Sequence, residues 1–131
     1  MKDFKKYFSI PAPPEDVYNA LTHEPTVMLW TGAEAVVDAR PDGELSLWED
    51  SIVGRFISLD PDKKIIVQEW YFGEQQEQSI VTIKLHADKK GTSLELRHTN
   101  IPDEAYEDMV AGWQDPFMAS LIDFYEEEEE D

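Results

Sequence analysis

The stretch that decides the fold is GELSLWEDSIVGRFISLDPDKKIIVQEW, which spans residues 43–70. Leu45 and Leu47 alternate with Ser46 and Trp48, and two longer apolar runs follow them across short charged turns. Apolar residues with a period of two are typical of strands that bury one face. The stretch therefore predicts an antiparallel meander, and its buried face needs a covering element.

The covering element is predicted at the far end of the chain. From Asp103 onward, apolar residues recur every three or four positions, which is the spacing of one helical face. These residues are Tyr106, Met109, Val110, Trp113, Phe117, Leu121 and Phe124. We expect a long C-terminal helix that closes the sheet.

Gly112 and Pro116 interrupt this helical pattern. A proline collides with the carbonyl four residues earlier, which here belongs to Gly112. We predict one helix kinked at this point, because the apolar stripe keeps its register from Met109 to Phe117. The alternative is two helices, with Asp115 capping a second one that starts at Pro116.

The remaining helices and strands are predicted from the positions of proline and glycine and from the alternation of apolar and polar residues. Residues 2–10 alternate as a first strand, Pro14 and Pro25 each fit the start of a short helix, and Gly32 fits a left-handed cap at the end of the second. Alternation resumes at residues 33–38, and a hairpin is predicted after the meander at residues 80–85 and 93–97, joined by a turn that ends in Gly91. Residues 73–78 are polar and without a period, which indicates a loop at the rim of the sheet.

Composition and charge limit what the protein can be. The 131 residues suit one domain, assigned to residues 1–125, and residues 126–131 form an acidic tail that we expect to be disordered. The formal net charge of −18 disfavours binding to nucleic acid. No run approaches the roughly 20 apolar residues of a membrane span, and the absence of cysteine suits a reducing compartment. We therefore expect a cytoplasmic monomer.

Catalytic and metal-binding signals are weak. The three histidines, His23, His86 and His98, are scattered without ligand spacing, and no glycine-rich phosphate loop or nucleophile elbow occurs. Neighbouring carboxylates are unavoidable in a chain with 29 acidic residues and carry little catalytic information. We predict no metal and no cofactor, and a binding role is favoured over an enzymatic one.

The four tryptophans indicate where a ligand could bind. Trp30, Trp48, Trp70 and Trp113 fall on predicted helices and strands that surround one interior space, and aromatic walls suit an apolar ligand. Plain core packing is the alternative, and the parity of Trp48 places it at the surface or rim. The candidate cavity residues are Trp30, Ile52, Phe56, Trp70, His98, Trp113 and Phe117.

The order of these elements resembles a known family. The matching segments are APPEDVYNAL at 12–21, LWTG at 29–32, the block at 43–70, GTSLELRHTNIPDE at 91–104, and Gly112 with Trp113. They are similar to single-domain relatives, many of them bacterial, of the C-terminal domain of the activator of heat shock protein 90 ATPase. This group lies in the START-like (SRPBCC) superfamily.

The resemblance implies an α+β helix-grip fold of the Bet v 1-like kind, in the order β-α-α-β6-α. A curved antiparallel sheet would wrap around the C-terminal helix, with a cavity between them. The implied function is binding of a small apolar ligand there. A chaperone-binding module with a co-chaperone-like role in stress is the alternative, and a cavity-based enzyme is the third reading.

Overall fold

The structure, a computed structural model, describes residues 1–73 and 77–129. Seven strands form one antiparallel sheet in the order β1-β7-β6-β5-β4-β3-β2. The strands are β1 Lys2–Ile10, β2 Val36–Val37, β3 Glu44–Leu47, β4 Ile52–Asp60, β5 Ile65–Trp70, β6 Ser79–Asp88 and β7 Gly91–Ile101. The predicted meander and the final hairpin are therefore confirmed.

The helices lie before and after the main run of strands. They are α1 Pro14–Thr22, α2 Glu24–Thr31, α3 Tyr106–Gly112 and α4 Ala119–Glu129, with an irregular helical segment, Trp113–Met118, between the last two. Pro14 and Pro25 stand in the first turns of α1 and α2, and Gly32 ends α2 with φ of 71°. The predicted order and the curved helix-grip fold are confirmed.

One face of the sheet supplies the core. Alternate residues of neighbouring strands are buried on it, such as Ile66 and Trp70 on β5 and Leu94 and Leu96 on β7. Gly54 on β4 allows a close approach of strands, because a Cβ there would lie 2.0 Å from the carbonyl oxygen of Glu69 on β5. The register of β4 against β5 also shifts between Phe56 and Ser58. These features accompany the curvature of the sheet.

The prediction of one kinked C-terminal helix is wrong. Asp115 has φ of −152° and ψ of 120°, which is extended backbone, and the Asp115–Pro116 peptide bond is cis. A residue before proline is disfavoured in the helical region, so the chain breaks there although the apolar stripe continues. The alternative, two helical parts that meet at Asp115 and Pro116, describes the structure.

The last helix extends into the acidic end of the chain. The helix α4 continues through Glu129, so it includes four positions that the sequence analysis assigned to the acidic tail. Residues 130–131 lie outside the described residues, as do residues 74–76 of the predicted rim loop. Within the described chain, no helix is long and apolar enough to cross a membrane.

Candidate functional site

A cavity of about 410 Å³ lies between the sheet and the broken C-terminal helix. One wall is the turn between β3 and β4, the second is the end of β5, and the third is α3 with the irregular segment after it. The lining residues are Trp48, Ser51, Ile52, Trp70, Met109, Gly112, Trp113, Pro116 and Phe117. Most of them are aromatic or aliphatic, so the cavity is an apolar site.

The aromatic rings of the wall pack against one another. Trp70 and Trp113 stack with ring centroids 4.6 Å apart and planes inclined by 20°. Phe117 lies 4.6 Å from Trp113 at 54° and 5.9 Å from Trp48 at 66°. Trp30 stands behind this layer, 5.2 Å from Phe117. The walls are therefore held in place by ring–ring contacts rather than by single side chains.

Every tryptophan of the wall uses its indole N–H inside the protein. Trp48 donates to the carbonyl oxygen of Thr31 over 3.1 Å, Trp70 to Oε1 of Gln68 over 2.9 Å, and Trp113 to Nδ1 of His98 over 3.0 Å. Among the lining residues, Ser51 supplies the only side-chain oxygen. The cavity therefore offers a ligand ring surface and aliphatic carbon, with one hydroxyl.

His98 is buried behind the stacked pair. Its Nδ1 accepts from Trp113, and its Nε2 lies 2.8 Å from Oγ of Ser79. Burial lowers the pKa of His98 to about 4, against a smaller opposing effect of the Asp3 charge. The imidazole is neutral near pH 7, and its two ring nitrogens link Trp113, just after α3, to Ser79 on β6.

Trp48 enters the wall from an unusual turn. Trp48, Glu49 and Asp50 have φ values of 49°, 53° and 68°, a left-handed conformation that is costly for residues with a Cβ. Ser46 Oγ donates to Asp50 Oδ1 over 2.5 Å and braces the turn. This conformation explains why Trp48 packs inward beside Trp30 and Phe117 although its parity differs from that of Leu47.

The structure brings four of the seven candidate residues to the cavity. Ile52, Trp70, Trp113 and Phe117 line it, and Trp30 supports it from behind. The other two do not line it. Phe56 is fully buried in the core, and His98 is equally buried with both nitrogens bonded to Trp113 and Ser79. Parity located Phe56 on the buried face but could not show that the core closes over it.

Sequence reasoning missed five lining residues, Trp48, Ser51, Met109, Gly112 and Pro116. The helical residues carried a usable signal. Met109 stands one turn before Trp113, so the two were expected on one face, and Gly112 and Pro116 mark the break that opens the wall. Trp48 was noted among the four tryptophans, but its parity indicated only a surface or rim position. Ser51 gave no signal, because the left-handed turn before it has no glycine to reveal it.

The described lining residues of the cavity include no Lys, Arg, His, Asp or Glu side chain. Arg55 on β4 pairs with Glu69 over 2.9 Å and with Asp42 over 2.5 Å. Within residues 1–73 and 77–129, no group of three or more His, Cys, Asp or Glu side chains is arranged to hold a metal ion. The described lining of the cavity consists of apolar side chains, one hydroxyl and a glycine.

Comparison with known proteins identifies the family. Residues 11–123 match the family described as Activator of Hsp90 ATPase homolog 1-like protein. The human Activator of 90 kDa heat shock protein ATPase homolog 1 is 32% identical over 103 residues, which cover 77% of this chain and 30% of the human protein. The chain thus spans less than a third of that relative.

Solved structures agree with this assignment. The crystal structure of an HSP90 activator from Plasmodium falciparum has a TM-score of 0.82 and 28% identity, and the match covers 92% of this chain and 94% of that one. The crystal structure of Ara h 8.0201 has a TM-score of 0.71 at 16% identity, over 92% and 94% of the two chains, and shows the fold alone. The chain belongs to the Activator of Hsp90 ATPase homolog 1-like family.

Proposed function

We propose that this domain binds a small apolar molecule in the cavity between the sheet and the broken helix. The observation that carries the proposal is a cavity of about 410 Å³ with an aromatic wall whose indole N–H groups are already bonded to the protein. Ligand sites typically measure roughly 300–1,000 Å³ and are mostly apolar. A ligand that fills this space needs no strong hydrogen-bonding group.

The absence of a side chain at Gly112 supports the proposal because it leaves space in the cavity. Gly112 lines the cavity without a side chain, and its backbone is helical, with φ of −65° and ψ of −33°. Any residue can adopt that conformation, so the glycine is not required by the backbone. Its absent side chain leaves room that a larger residue would fill.

The test uses this position. Isotope-labelled protein is titrated with a panel of fatty acids, sterols and planar aromatics, and binding is followed by NMR and by thermal unfolding. A ligand at one hundred times its dissociation constant should add about 2.7 kcal/mol to the free energy of unfolding. Gly112→Leu should fill the cavity and abolish binding, whereas Gly112→Ala, whose Cβ would lie 3.7 Å from the nearest side-chain atom, should bind normally.

Two outcomes would contradict the proposal. The first is that the native protein binds no member of the three ligand classes. The second is equal binding by the native protein and Gly112→Leu, with shifts confined to residues outside the cavity, since the ligand would then occupy another site.

The second candidate function is binding to a chaperone of the Hsp90 type. Membership of the family supports it, and so does an exposed surface beside α2 that combines apolar and acidic side chains. Leu29 is 70% exposed, and a shallow groove next to it is lined by Met28, Val36, Glu34 and Glu49 among others. This surface, which we name the α2 surface, would suit a partner with apolar and basic groups.

The second candidate function is tested by adding the purified protein to an Hsp90-type chaperone. Binding between the two proteins and the ATPase rate of the chaperone are both measured. Leu29→Glu should weaken any binding through the α2 surface, and the ligand titration above should be unchanged in that variant. No binding and no change of the ATPase rate would reject the co-chaperone role while leaving ligand binding intact.

A further inference from the structure

We propose that Gln68 is the polar anchor of the ligand. In this inference its NH2 group donates a hydrogen bond to a neutral acceptor oxygen at the inner end of an otherwise apolar molecule, such as a ketone, an ester, an ether or an alcohol. The inference rests on the proposed function of the cavity and specifies the ligand class. It also requires the ring of Phe117 to rotate, because that ring separates Gln68 from the cavity.

Gln68 is a polar residue within an apolar layer. It stands on the buried face of β5 between Ile66 and Trp70, and it is only 5% exposed. Burying an amide is costly unless both its oxygen and its nitrogen find hydrogen-bond partners. The partners of Gln68 therefore indicate whether its amide serves the fold alone.

Trp70 uses only half of this amide. Its indole N–H donates to Oε1 of Gln68 over 2.9 Å, and because an indole N–H can only donate, the amide oxygen must face it. The NH2 group of Gln68 donates to no acceptor within residues 1–73 and 77–129. In the same part of the chain, no side-chain nitrogen or oxygen is both sealed in the core and without a partner. The NH2 group therefore borders open space.

The open space is a small void in the core, which Gln68 lines. Its volume of about 10 Å³ gives room for roughly one water molecule. Trp30 also lines the void, but its indole N–H already donates to the carbonyl oxygen of Ala20 over 2.7 Å. The other described lining side chains are aliphatic, apart from Phe117. Gln68 therefore supplies the side-chain donor that this void offers.

Phe117 separates the void from the cavity. Of the described residues, it alone lines both spaces. Its side chain is nearly buried, yet it has a cavity of about 410 Å³ on one side and the void on the other, so it is not closely packed all round. It also lies two residues after Asp115, where the helical backbone is interrupted. Rotation of the ring would join the two spaces and give a ligand access to Gln68.

The acceptor should be neutral. The described linings of the cavity and of the void contain no Lys, Arg or His side chain. A carboxylate or phosphate there would be buried without a counter-charge, whereas a carbonyl, ether or hydroxyl oxygen needs only a donor. Ser51 offers a competing hydroxyl, but it is an exposed residue of the cavity wall. The apolar body would occupy the cavity while the oxygen reaches Gln68.

The experiment compares two probes that share a shape and differ in one atom group. 2-Acetylnaphthalene carries a C=O group where 2-isopropenylnaphthalene carries C=CH2, and each is titrated into isotope-labelled native protein. We expect the ketone to move the side-chain NH2 proton signals of Gln68 downfield, as a new hydrogen bond does, and to shift signals of Leu47, which lines the void. The hydrocarbon should shift cavity signals without the downfield change at Gln68.

Variants measure the contribution of the amide. The quantity compared is the dissociation constant of the hydrocarbon divided by that of the ketone. Gln68→Leu alone would leave the indole N–H of Trp70 without an acceptor, so every protein in this comparison carries Trp70→Phe. We expect the ratio to fall about threefold to tenfold when Gln68→Leu is added. The matched control is Gln114→Leu, at an exposed residue that lines neither space, and it should leave the ratio unchanged.

The outcomes distinguish this inference from the function on which it rests. Cavity shifts with both probes, together with an unchanged ratio in Gln68→Leu, would overturn the role of Gln68 and leave apolar ligand binding standing. A ratio that falls in Ser51→Ala and not in Gln68→Leu would assign the acceptor to Ser51 and overturn the role of Gln68 as well. No binding of either probe would also overturn it, and the ligand panel described above would then decide whether the cavity binds ligands at all.

Discussion

The indole N–H of Trp113 donates to Nδ1 of His98 over 3.0 Å, and this contact determines which nitrogen of the imidazole carries the proton. Nδ1 is an acceptor and therefore carries no proton. On the other side, Oγ of Ser79 donates to the carbonyl oxygen of Thr99 over 3.1 Å, so it must accept from Nε2 of His98 over 2.8 Å. The neutral Nε2–H tautomer satisfies every partner in this buried chain of hydrogen bonds.

A pH dependence of stability follows from this buried imidazole. The pKa of His98 is about 4 in the folded protein, below the ordinary value of 6.5, because burial disfavours the charged form. Between these pH values the unfolded chain binds a proton that the folded chain does not. The stabilisation is therefore complete above pH 6.5 and is lost as pH falls toward 4, by about 3 kcal/mol in total.

The free energy of unfolding is measured by urea denaturation at several pH values. The series runs from roughly pH 7.5, where His98 is neutral in both states, to roughly pH 4.5, where most of the stabilisation should be lost. The many carboxylates also titrate toward the lower end, so the informative quantity is the difference from a control variant. His98→Gln should be less stable at neutral pH but should show a flatter pH dependence. Identical slopes in the two proteins would show that folding leaves the pKa of His98 unchanged.

Trp113 itself should be among the most sensitive positions of the chain. It is fully buried, stacks on Trp70 and holds His98, so Trp113→Ala should cost about 3 to 5 kcal/mol. Trp113→Phe keeps most of the ring contact and removes the donor to Nδ1, so it should cost about 1 to 3 kcal/mol. Denaturation of both variants tests the order. A cost under about 1 kcal/mol for the alanine variant would contradict its burial.

The sequence predicted the sheet well because strands depend on local alternation. Residues such as Leu45, Leu47 and Ile66 reveal their buried face by parity, and Gly32 reveals a cap by its freedom at positive φ. Parity also placed Ile52 and Trp70 on the correct face, and the helical spacing did the same for Trp113 and Phe117. It could not distinguish Phe56, over which the core closes, from Ile52, which borders the cavity.

The remaining features depended on tertiary contacts that carry no local signal. Trp48 packs inward because three successive residues without glycine adopt a left-handed turn, which only the surrounding contacts can maintain. The helix breaks at Asp115 although the apolar stripe runs on, because the stripe reports burial and not continuity of backbone hydrogen bonds. Both errors lie at the cavity, so the site was harder to predict than the fold.

Two glycines should respond in opposite ways to the same substitution. Gly112 is helical and its Cβ would meet only Met109 Cε at 3.7 Å, so Gly112→Ala should raise stability by about 0.5 to 1 kcal/mol. Gly54 lies against β5, where a Cβ would fall 2.0 Å from the carbonyl oxygen of Glu69. Gly54→Ala should therefore destabilise by about 3 kcal/mol or more. Thermal and urea unfolding of the pair provide the comparison, and a neutral result at Gly54 would contradict the strand approach.

The left-handed turn at the cavity mouth supports a final prediction. Glu49 has φ of 53° and is exposed, and a residue with a Cβ in that conformation is disfavoured by about 1 to 2 kcal/mol. Glu49→Gly removes this strain but adds chain entropy to the unfolded state, so the net gain in stability should be about 0.5 to 1 kcal/mol. Ser51→Gly in the same turn is the control, because Ser51 is not among the residues at positive φ and should lose stability instead. If Glu49→Gly is the less stable of the two, the turn is not left-handed at Glu49 and the inward packing of Trp48 needs another cause.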